Sequence, residues 1–254
     1  MEGERIQKAL ARAGIASRRE ADRWVAAGRV TVNDRLAAPG DRINAGDRVA
    51  VDGRQVVLGG ETAPSRVLAY HKPVGEVCTR SDPQGRPTIF HQLPDPQGGR
   101  WIQVGRLDVT TKGLILLTTD GDLANGLMHP SRRLEREYRV RVRGTPGKDA
   151  LRRLERGVEL EDGPARFKRV EILGAPGRNG ELSVVLTEGR KREVRRLLEA
   201  VGHPVSRLLR IRFGPVSLPR DLAPGHFREL PSAEVEALRA LAERPPEPGE
   251  EGNA

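Results

Sequence analysis

The apolar residues near the start of the chain recur at the three- and four-residue spacing of a helix. This pattern runs over residues 6–13, and Gly14 is a residue type that commonly ends a helix. Ser17 and Glu20 have the spacing of a capping box, in which each side chain bonds the backbone amide of the other residue. The pattern therefore predicts one helix that ends at Gly14 and a second helix over residues 18–27.

Beyond the second helix, the apolar spacing changes to the period of two that is typical of strands. Val30 and Val32 alternate with polar neighbours, and the pair at 33–34, Asn-Asp, has the chemistry of a tight turn. A second short hairpin is predicted over residues 48–51, with an Asp-Gly turn at residues 52–53. The first part of the chain is therefore predicted to be two helices followed by small antiparallel strands.

Two changes in composition mark the expected domain boundaries. Residues 59–65 are small and polar and include a proline, which indicates a flexible linker. The end of the chain is rich in Pro, Glu and Gly, a composition typical of a disordered tail. We therefore predict a small N-terminal domain at residues 1–60, a linker at 61–66, a second domain at 67–243 and a disordered tail at 244–254.

The second domain alternates strand-like and helix-like segments. Short apolar or alternating runs predict strands near residues 67–70, 101–104, 114–117, 136–143, 182–186 and 206–214. Helical spacing predicts helices near residues 123–128, 146–162, 194–201 and 233–242. We expect an α+β fold in which a mainly antiparallel central sheet is flanked by helices and loops.

The charge balance limits the classes of partner. The chain of 254 residues has 44 Lys and Arg against 35 Asp and Glu, a net charge of +9, which attracts polyanions. Aromatic residues make up 3% of the chain, too few for a broad base-stacking platform. The N-terminus lacks the apolar core of a signal peptide, and no run of 18 apolar residues occurs. We expect a cytoplasmic monomer without a membrane partner.

The sequence also lacks the usual signatures of cofactor and metal binding. The single cysteine cannot form an internal disulfide, and no cluster of residues has metal-ligand spacing. No dinucleotide-binding glycine motif or phosphate-binding loop with its lysine is present. The expected chemistry therefore uses neither a cofactor nor a metal.

The candidate catalytic carboxylate is Asp108, which follows Arg106 in the segment GRLD and precedes an apolar strand. Loops held by a rigid sheet commonly display catalytic groups. An alternative is that Asp108 is a turn residue whose side chain bonds a nearby backbone amide. Asp120 and Asp122 lie downstream and suggest a two-metal nuclease as a further alternative, although acidic residues at a helix start also complement the helix dipole.

Two further candidates for the site come from later elements. In the strand at residues 136–143, Tyr138 is on the apolar side and three arginines are on the other. A core tyrosine bonded through its hydroxyl is the alternative to a functional one. In the helix at residues 194–201, Arg195 lies beside the apolar stripe, so its guanidinium can reach a neighbouring carboxylate.

Basic residues suited to phosphate contacts occur in both domains. Those predicted to bind RNA are Arg5, Lys8, Arg18, Arg19, Arg23, Arg106, Lys112, Arg190, Lys191, Arg192, Arg210 and Arg212. The last two are placed on the polar side of the strand at residues 206–214, where they are expected to be free for RNA. The alternative for each is an ordinary solvated face.

Several segments resemble a known enzyme family. GRLDVTTKGLILLTTDG, ANGLMHPSRRLEREYRVRVRG, HKPVG with a downstream CTR, and GRKREVRRL resemble the motifs of pseudouridine synthases of the RsuA and RluB type. SRREADRWVAAGRVTVN resembles the small RNA-binding domain first described in a ribosomal small-subunit protein, with Asp34 where that family usually has glycine. The resemblance implies a small RNA-binding domain followed by a catalytic domain that converts uridine to pseudouridine.

The resemblance also implies roles for the candidate residues. Asp108 is the implied catalytic residue, Tyr138 packs on the target uracil, and Arg195 forms an ion pair with Asp108. The implied substrate is an rRNA stem-loop with a flipped-out uridine. Intervening stretches such as CTRSDPQGRPTIF and VELEDGPARFK resemble members that act on 23S rRNA, the type that modifies uridine 2605. The alternatives are a 16S rRNA synthase of the same family and a non-catalytic RNA-binding assembly factor.

Overall fold

The computed structural model describes residues 3–58, 65–175 and 177–244. They form two compact units. The first contains the described residues up to Arg66 together with Pro94–Ile102 and Thr118–Gly121. The second contains Val67–Leu93, Gln103–Leu117 and the described residues from Asp122 onward. Most of the predicted linker and nearly all of the predicted tail lie outside the described residues.

The N-terminal segment has the two predicted helices followed by small strands, and one short strand that was not predicted precedes the first helix. Its elements are β1 (Glu4–Arg5), α1 (Ile6–Arg12), α2 (Arg18–Ala26), β2 (Val30–Val32), β3 (Arg35–Leu36), β4 (Arg42–Ile43), β5 (Val49–Val51) and β6 (Arg54–Val56). Strands β3, β2, β5 and β6 form an antiparallel sheet in that order, and β1 pairs with β4. Both bonds of the predicted capping box are formed, since Ser17 accepts from the Glu20 amide and Glu20 accepts from the Ser17 amide. Asn33 and Asp34 have positive φ angles of 47° and 66°, as a tight hairpin turn requires.

Apolar side chains from both helices and the small sheet form one core in this segment. Ile6, Leu10 and Val25 from the helices are buried with Val30 and Val49 from the sheet. Burying a large aliphatic side chain contributes about 1.5 to 3 kcal/mol. The helices are therefore held mainly by packing, because each is too short to be stable alone.

The second unit is built on a nine-stranded sheet. Its main path runs in the order β13 (Arg169–Leu173), β14 (Asn179–Leu186), β10 (Arg136–Arg143), β15 (Val205–Phe213), β9 (Lys112–Thr118), β7 (Val67–Lys72) and β17 (Phe227–Glu229). Two short strands join it at the sides, β8 (Ile102–Val104) beside β9 and β16 (Val216–Ser217) beside β15. The β15–β9 pair is parallel, whereas β10 pairs antiparallel with both β14 and β15. This confirms the predicted α+β class.

Helices and a small hairpin complete this part of the chain. They are α3 (Gly121–Met128), a short 3-10 helix (Pro130–Arg132), α4 (Lys148–Arg156), the hairpin strands β11 (Val158–Leu160) and β12 (Gly163–Ala165), α5 (Glu193–Ala200) and α6 (Ser232–Glu243). In the described part of the chain, no helix has the length and apolar character needed to cross a bilayer.

One glycine sets the closest approach in the sheet. A Cβ atom at Gly113 in β9 would lie 2.3 Å from the backbone oxygen of Arg210 in β15, and Gly113 has φ of +114°. Any other residue would push the two strands apart. Tyr138 is opposite Arg210, and Arg210 is opposite Gly113, so these residues form a row across β10, β15 and β9. The row spans about 10 Å at the usual strand spacing.

One local prediction about the second unit is wrong, and some of its strands were not predicted. The helix predicted through residue 162 ends at Arg156, because Gly157 has φ of +130° and the chain then enters the β11–β12 hairpin. Strand β13 was not predicted. Its apolar and charged residues alternate, and it gains its stability from pairing with β14 rather than from local sequence.

Candidate active site

The segment after β8 is a loop in which every backbone carbonyl from residue 107 to residue 111 accepts a hydrogen bond. The Cys78 thiol donates to the carbonyl of residue 107, and the Lys72 ammonium donates to those of residues 108 and 111. The carbonyl of residue 108 also accepts from the Thr111 amide, that of residue 109 from the Gly75 amide, and that of residue 110 from the Arg195 guanidinium. The loop that carries Asp108 is therefore held in one conformation from several sides.

Lys72 lies beneath this loop. It is the last residue of β7 and is 0% exposed. Its ammonium donates to the carbonyls of Pro73 at 2.9 Å, Asp108 at 3.2 Å and Thr111 at 2.9 Å, which uses all three of its protons. Burial lowers the pKa of Lys72, while the negative charge of nearby groups, including Asp108, raises it. Sequence reasoning missed Lys72, although it lies within the quoted HKPVG motif.

Cys78 braces the same loop from another side. Its sulfur accepts from the Leu107 amide at 3.4 Å, and its thiol lies 3.3 Å from the Leu107 carbonyl to which it donates. The carbonyl of Cys78 in turn accepts from the Gln103 side chain at 3.1 Å. Burial raises the pKa of the Cys78 thiol, so it remains a neutral hydrogen-bonding group rather than a thiolate.

The carboxylate of Asp108 is the part of the loop that remains available. Asp108 is half-buried, and among the residues that the structure describes its side chain has no hydrogen bond and no ion pair. The alternative that Asp108 caps a backbone amide therefore has no support in this geometry. A carboxylate without a partner on a rigid loop can act on a bound ligand.

Arg195 is close to Asp108 but is not in contact with it. Its guanidinium donates to the carbonyls of Thr110 at 3.2 Å and Val205 at 3.3 Å. Burial lowers the pKa of Arg195, and attraction to Asp108 opposes that change. The predicted direct ion pair is absent, since no N–O distance of 4.0 Å or less joins the two side chains in the described structure. Two backbone carbonyls bond its Nη atoms instead, and its buried Nε has no hydrogen-bond partner in the described structure.

Tyr138 lies on the buried side of β10, as predicted, and is 8% exposed. Within the described part of the chain its hydroxyl has no hydrogen-bond partner, which does not fit a core tyrosine anchored through that group. Its strand position is level with Arg210 and Gly113, and β9 begins immediately after the Asp108 loop. The pairing thus places Tyr138 level with the start of β9, two strands away from it.

The expectation that Arg210 is free for RNA is wrong. Arg210 is 2% exposed, and its Nε donates to the Leu114 carbonyl at 2.6 Å. A β-bulge causes the error: Glu137 is opposite Arg212 and Tyr138 is opposite Arg210, so Ile211 has no partner in the register. The extra residue reverses the alternation of side chains and turns Arg210 inward.

Arg212 and Arg190 are also committed to protein contacts. Arg212 pairs with Glu135 at 2.8 Å and with Glu137 at 2.9 Å, so it is not free for RNA. Arg190 pairs with Glu188 at 2.9 Å and donates to three carbonyls at the β11–β12 turn. Both arginines therefore stabilise the fold rather than extend from it.

Comparisons with known proteins match both parts of the chain. A family model described as RNA pseudouridylate synthase matches residues 66–200, and a model described as S4 domain matches residues 4–49. The chain belongs to the RNA pseudouridylate synthase family. The resemblance drawn from the motifs is thereby confirmed.

Relatives of this RNA pseudouridylate synthase cover most of its length. Ribosomal large subunit pseudouridine synthase B of Salmonella typhi and that of Escherichia coli strain K12 are each 55% identical over 96% of this chain and 85% of the relative. The protein of the same name from Pasteurella multocida is 52% identical over 97% of this chain and 72% of the relative. A crystal structure of a pseudouridylate synthase superposes with a TM-score of 0.64 at 27% identity, covering 93% of this chain and all of that one.

The other predicted RNA-binding residues of this synthase are at least partly exposed. They are Arg5, Lys8, Arg18, Arg19 and Arg23 in the N-terminal segment, Arg106 and Lys112 on either side of the Asp108 loop, and Lys191 and Arg192 before α5. Arg192 has a positive φ of 53° and is close enough to Arg195 to lower its pKa by repulsion. These residues stay predictions for RNA contact.

The start of α5 contains a buried carboxyl that sequence reasoning did not single out. Glu193 is 2% exposed, and its side chain accepts from the Arg190 amide at 3.0 Å. Burial and the adjacent Glu188 carboxylate raise the pKa of Glu193 to about 7. The site therefore has a group that changes protonation near neutral pH in the segment that orients Arg195.

Glu193→Gln is expected to stabilise the synthase at pH 8 by on the order of 1 to 2 kcal/mol relative to wild type. The folded state raises the pKa of Glu193 above its ordinary value of 4.5. Its contribution to stability is thus fully present below pH 4.5 and is lost as pH rises through about 7. Glutamine stays neutral and can donate to Glu188.

Urea unfolding of wild type and Glu193→Gln at pH 5 and pH 8 measures this effect. The free-energy difference between the two proteins should be larger at pH 8. Glu199→Gln, at an exposed position of the same helix, is the matched control and should give the same difference at both values. A pH-independent effect of Glu193→Gln would contradict the prediction.

Proposed function

We propose that this protein isomerises a uridine of large-subunit rRNA to pseudouridine, at the position corresponding to uridine 2605, with Asp108 as the catalytic group. The observation that carries the proposal is the carboxylate of Asp108, which has no protein partner in the described structure while the loop around it is bonded at every carbonyl. The names of the relatives from Salmonella typhi and Escherichia coli support the choice of the large subunit.

The proposed reaction conserves every atom of the nucleotide. The bond between uracil N1 and the sugar carbon breaks, the base rotates, and uracil C5 bonds the same sugar carbon. C5 then gives up its hydrogen as a proton, and N1 gains a proton, so no atom is lost overall. Asp108 must be ionised to act on the sugar. The guanidinium of Arg195 is close enough to Asp108 for the two charges to attract each other. Asp108 therefore performs the chemistry, while Arg195 positions its loop through the Thr110 carbonyl.

Tyr138 is proposed to contact the target base. The uridine must leave its stack to reach the loop, at a cost of a few kcal/mol. Stacking on an aromatic ring returns about 1 to 3 kcal/mol per base. The hydroxyl of Tyr138 has no protein partner in the described structure, which leaves it free to bond a ligand in the same unit that presents Asp108.

The N-terminal segment is proposed to hold the RNA by its backbone. Arg18, Arg19 and Arg23 are exposed along α2 of this segment. In the second unit, Lys191 and Arg192 are exposed before α5 and are proposed to make contacts of the same kind. Contacts between such side chains and phosphates release bound counterions, so RNA affinity should fall steeply with salt. The S4 match over residues 4–49 supports RNA binding by this segment. We also propose that one copy of the chain is active, which light scattering of the purified protein would test.

Incubation of the purified protein with unmodified large-subunit and small-subunit rRNA tests the proposed function. Chemical mapping should detect a single new pseudouridine in the large-subunit RNA at the position corresponding to uridine 2605. A new pseudouridine only in small-subunit rRNA would overturn the choice of subunit. Binding of either RNA without any pseudouridine would favour the assembly-factor alternative.

Arg195→Met is expected to lower kcat by about 10- to 100-fold with little change in RNA affinity, because Arg195 anchors the Asp108 loop at Thr110 rather than contacting RNA. Single-turnover rates and filter-binding affinities would separate the two effects. Arg195→Lys should recover part of the rate, because it restores the charge. Arg196→Met, which removes an ion pair with Asp162, is the neighbouring control and should leave kcat unchanged. Equal losses of rate and affinity in Arg195→Met would make Arg195 a phosphate contact instead.

A further inference from the structure

One face of the sheet in the catalytic unit is covered with charged side chains. Alternate residues of β10 point away from the buried side that holds Tyr138, Val140 and Val142. On this outer face β10 is flanked by β14 and β15, with Ser183 and Leu209 opposite Arg139. Charge is distributed unevenly along it.

The end of this face nearer residue 136 is neutralised. Glu135 pairs with Lys168 at 2.6 Å and with Arg212 at 2.8 Å. Glu137 pairs with Arg212 at 2.9 Å and lies 3.7 Å from Arg169. Arg169 also lies 3.6 Å from Glu171, so three carboxylates here balance three cations and this end offers little attraction to an anion.

The opposite end has an excess of positive charge. Four arginines of the described structure lie at this end, and we call them the distal basic patch: Arg139, Arg141, Arg143 and Arg207. The carboxylate of Glu181 is close to the first, second and fourth of them. Among the described residues, only Arg139 forms an ion pair with Glu181, at 2.7 Å. In the part of the chain that the structure describes, the side chains of the other three have neither an ion pair nor a hydrogen bond.

The geometry of the patch suits a linear polyanion. Arg139, Arg141 and Arg143 are successive outward residues of β10, so they form a row about 13 Å long. Arg207 is directly opposite Arg141 in the next strand and widens the row. The negative charge of Glu181 is already shared, since Arg139, Arg141 and Arg207 all lower its pKa. The planar guanidinium group of arginine presents its N–H donors in a fork that matches the oxygens of a phosphate.

The patch is separate from the catalytic loop. It is on the side of β10 opposite Tyr138, and Arg143 is about 17 Å from Tyr138 along the strand. A nucleotide bound at Asp108 therefore cannot itself reach the patch. An RNA that touches both places must extend beyond the modified stem-loop.

We propose that the distal basic patch binds the phosphodiester backbone of an RNA segment that flanks the modified stem-loop. This inference rests on the proposed function, because the RNA that occupies the active site delivers the flanking segment. The patch adds affinity for extended rRNA and leaves the chemistry at Asp108 unchanged.

The test compares two RNAs, a minimal stem-loop and a longer rRNA fragment with the flanking helices. Arg141→Gln with Arg207→Gln should weaken binding of the longer RNA about 10-fold and reduce the slope of log Kd against log salt by about 2. Affinity and turnover on the minimal stem-loop should stay at the wild-type values. Arg153→Gln with Arg156→Gln, on the exposed side of α4, removes the same charge and should change neither RNA.

Unchanged binding of the longer RNA, or equal losses on both RNAs, would overturn the proposal. Poly-aspartate provides a competition test. If it displaced the longer RNA from the wild type at concentrations similar to those of the rRNA, but did not displace it from the double variant, the ligand of the patch would instead be an acidic protein. The proposed function is judged separately by pseudouridine formed on the minimal stem-loop. If no pseudouridine formed on the minimal stem-loop, the proposed function would fail, and the difference in affinity between the two RNAs would still test the patch independently.

Discussion

Asp108→Asn is expected to lower the rate of pseudouridine formation on the order of 10³-fold or more, while rRNA affinity stays within about twofold of wild type. Asparagine has nearly the same shape but cannot carry negative charge, and positioned acid–base groups commonly contribute about 10² to 10⁴ in rate. Because the Asp108 carboxylate has no protein partner in the described structure, its replacement breaks no protein contact. The loss should therefore be chemical and not structural.

Single-turnover assays with a radiolabelled stem-loop would measure this rate, and thermal unfolding would test the fold. Asp221→Asn, at an exposed position in a turn, is the control for removing one negative charge. A variant at position 108 that retained the wild-type rate would remove Asp108 from the mechanism. A variant that lost both rate and thermal stability would assign it the structural role considered in the sequence analysis.

Lys72→Met is expected to destabilise the protein by about 2 to 4 kcal/mol and to lower kcat about 10²-fold. The substitution keeps an unbranched side chain of similar length but removes the donors to three carbonyls, and an unsatisfied buried group costs about 1 to 3 kcal/mol. Two of those carbonyls belong to the Asp108 loop. A shift of about 1 Å in a catalytic group can reduce the rate about 10²-fold.

Urea unfolding and single-turnover kinetics would measure the two effects in the same preparation. Lys148→Met, at the exposed start of α4, is the matched control and should change stability by less than about 0.5 kcal/mol. Wild-type kinetics in a destabilised Lys72→Met protein would restrict Lys72 to a structural role. Wild-type stability would show that the carbonyls find other donors.

Local elements of the N-terminal segment could be predicted because their signals are local. The capping box of Ser17 and Glu20 and the turn at Asn33 and Asp34 involve residues at most three positions apart. Their hydrogen bonds and φ angles depend on the residue types present. Asp108 could be singled out because the segment around it resembles a family motif, whereas the local sequence alone also allowed a turn residue.

The burial of Arg210 could not be predicted from such local signals. The alternation of β15 placed Arg210 on the polar side, but the bulge at Ile211 reverses that alternation. Whether a strand contains a bulge depends on its pairing with β10, from residues about 70 positions earlier in the chain. The same pairing brings Arg212 to Glu135 and Glu137 and makes it a structural residue.

By itself, the sequence determined the order of most helices and strands, the α+β class, the family, and Asp108 as the candidate carboxylate. Only the tertiary structure decided what holds that carboxylate in place and which cations are available. Lys72, Cys78 and Arg195 bond the Asp108 loop from residues 29 to 85 positions away in the chain. The physical reason is that hydrogen bonding and desolvation depend on which groups are close in space. Pairing between strands that are far apart in the sequence determines which groups those are.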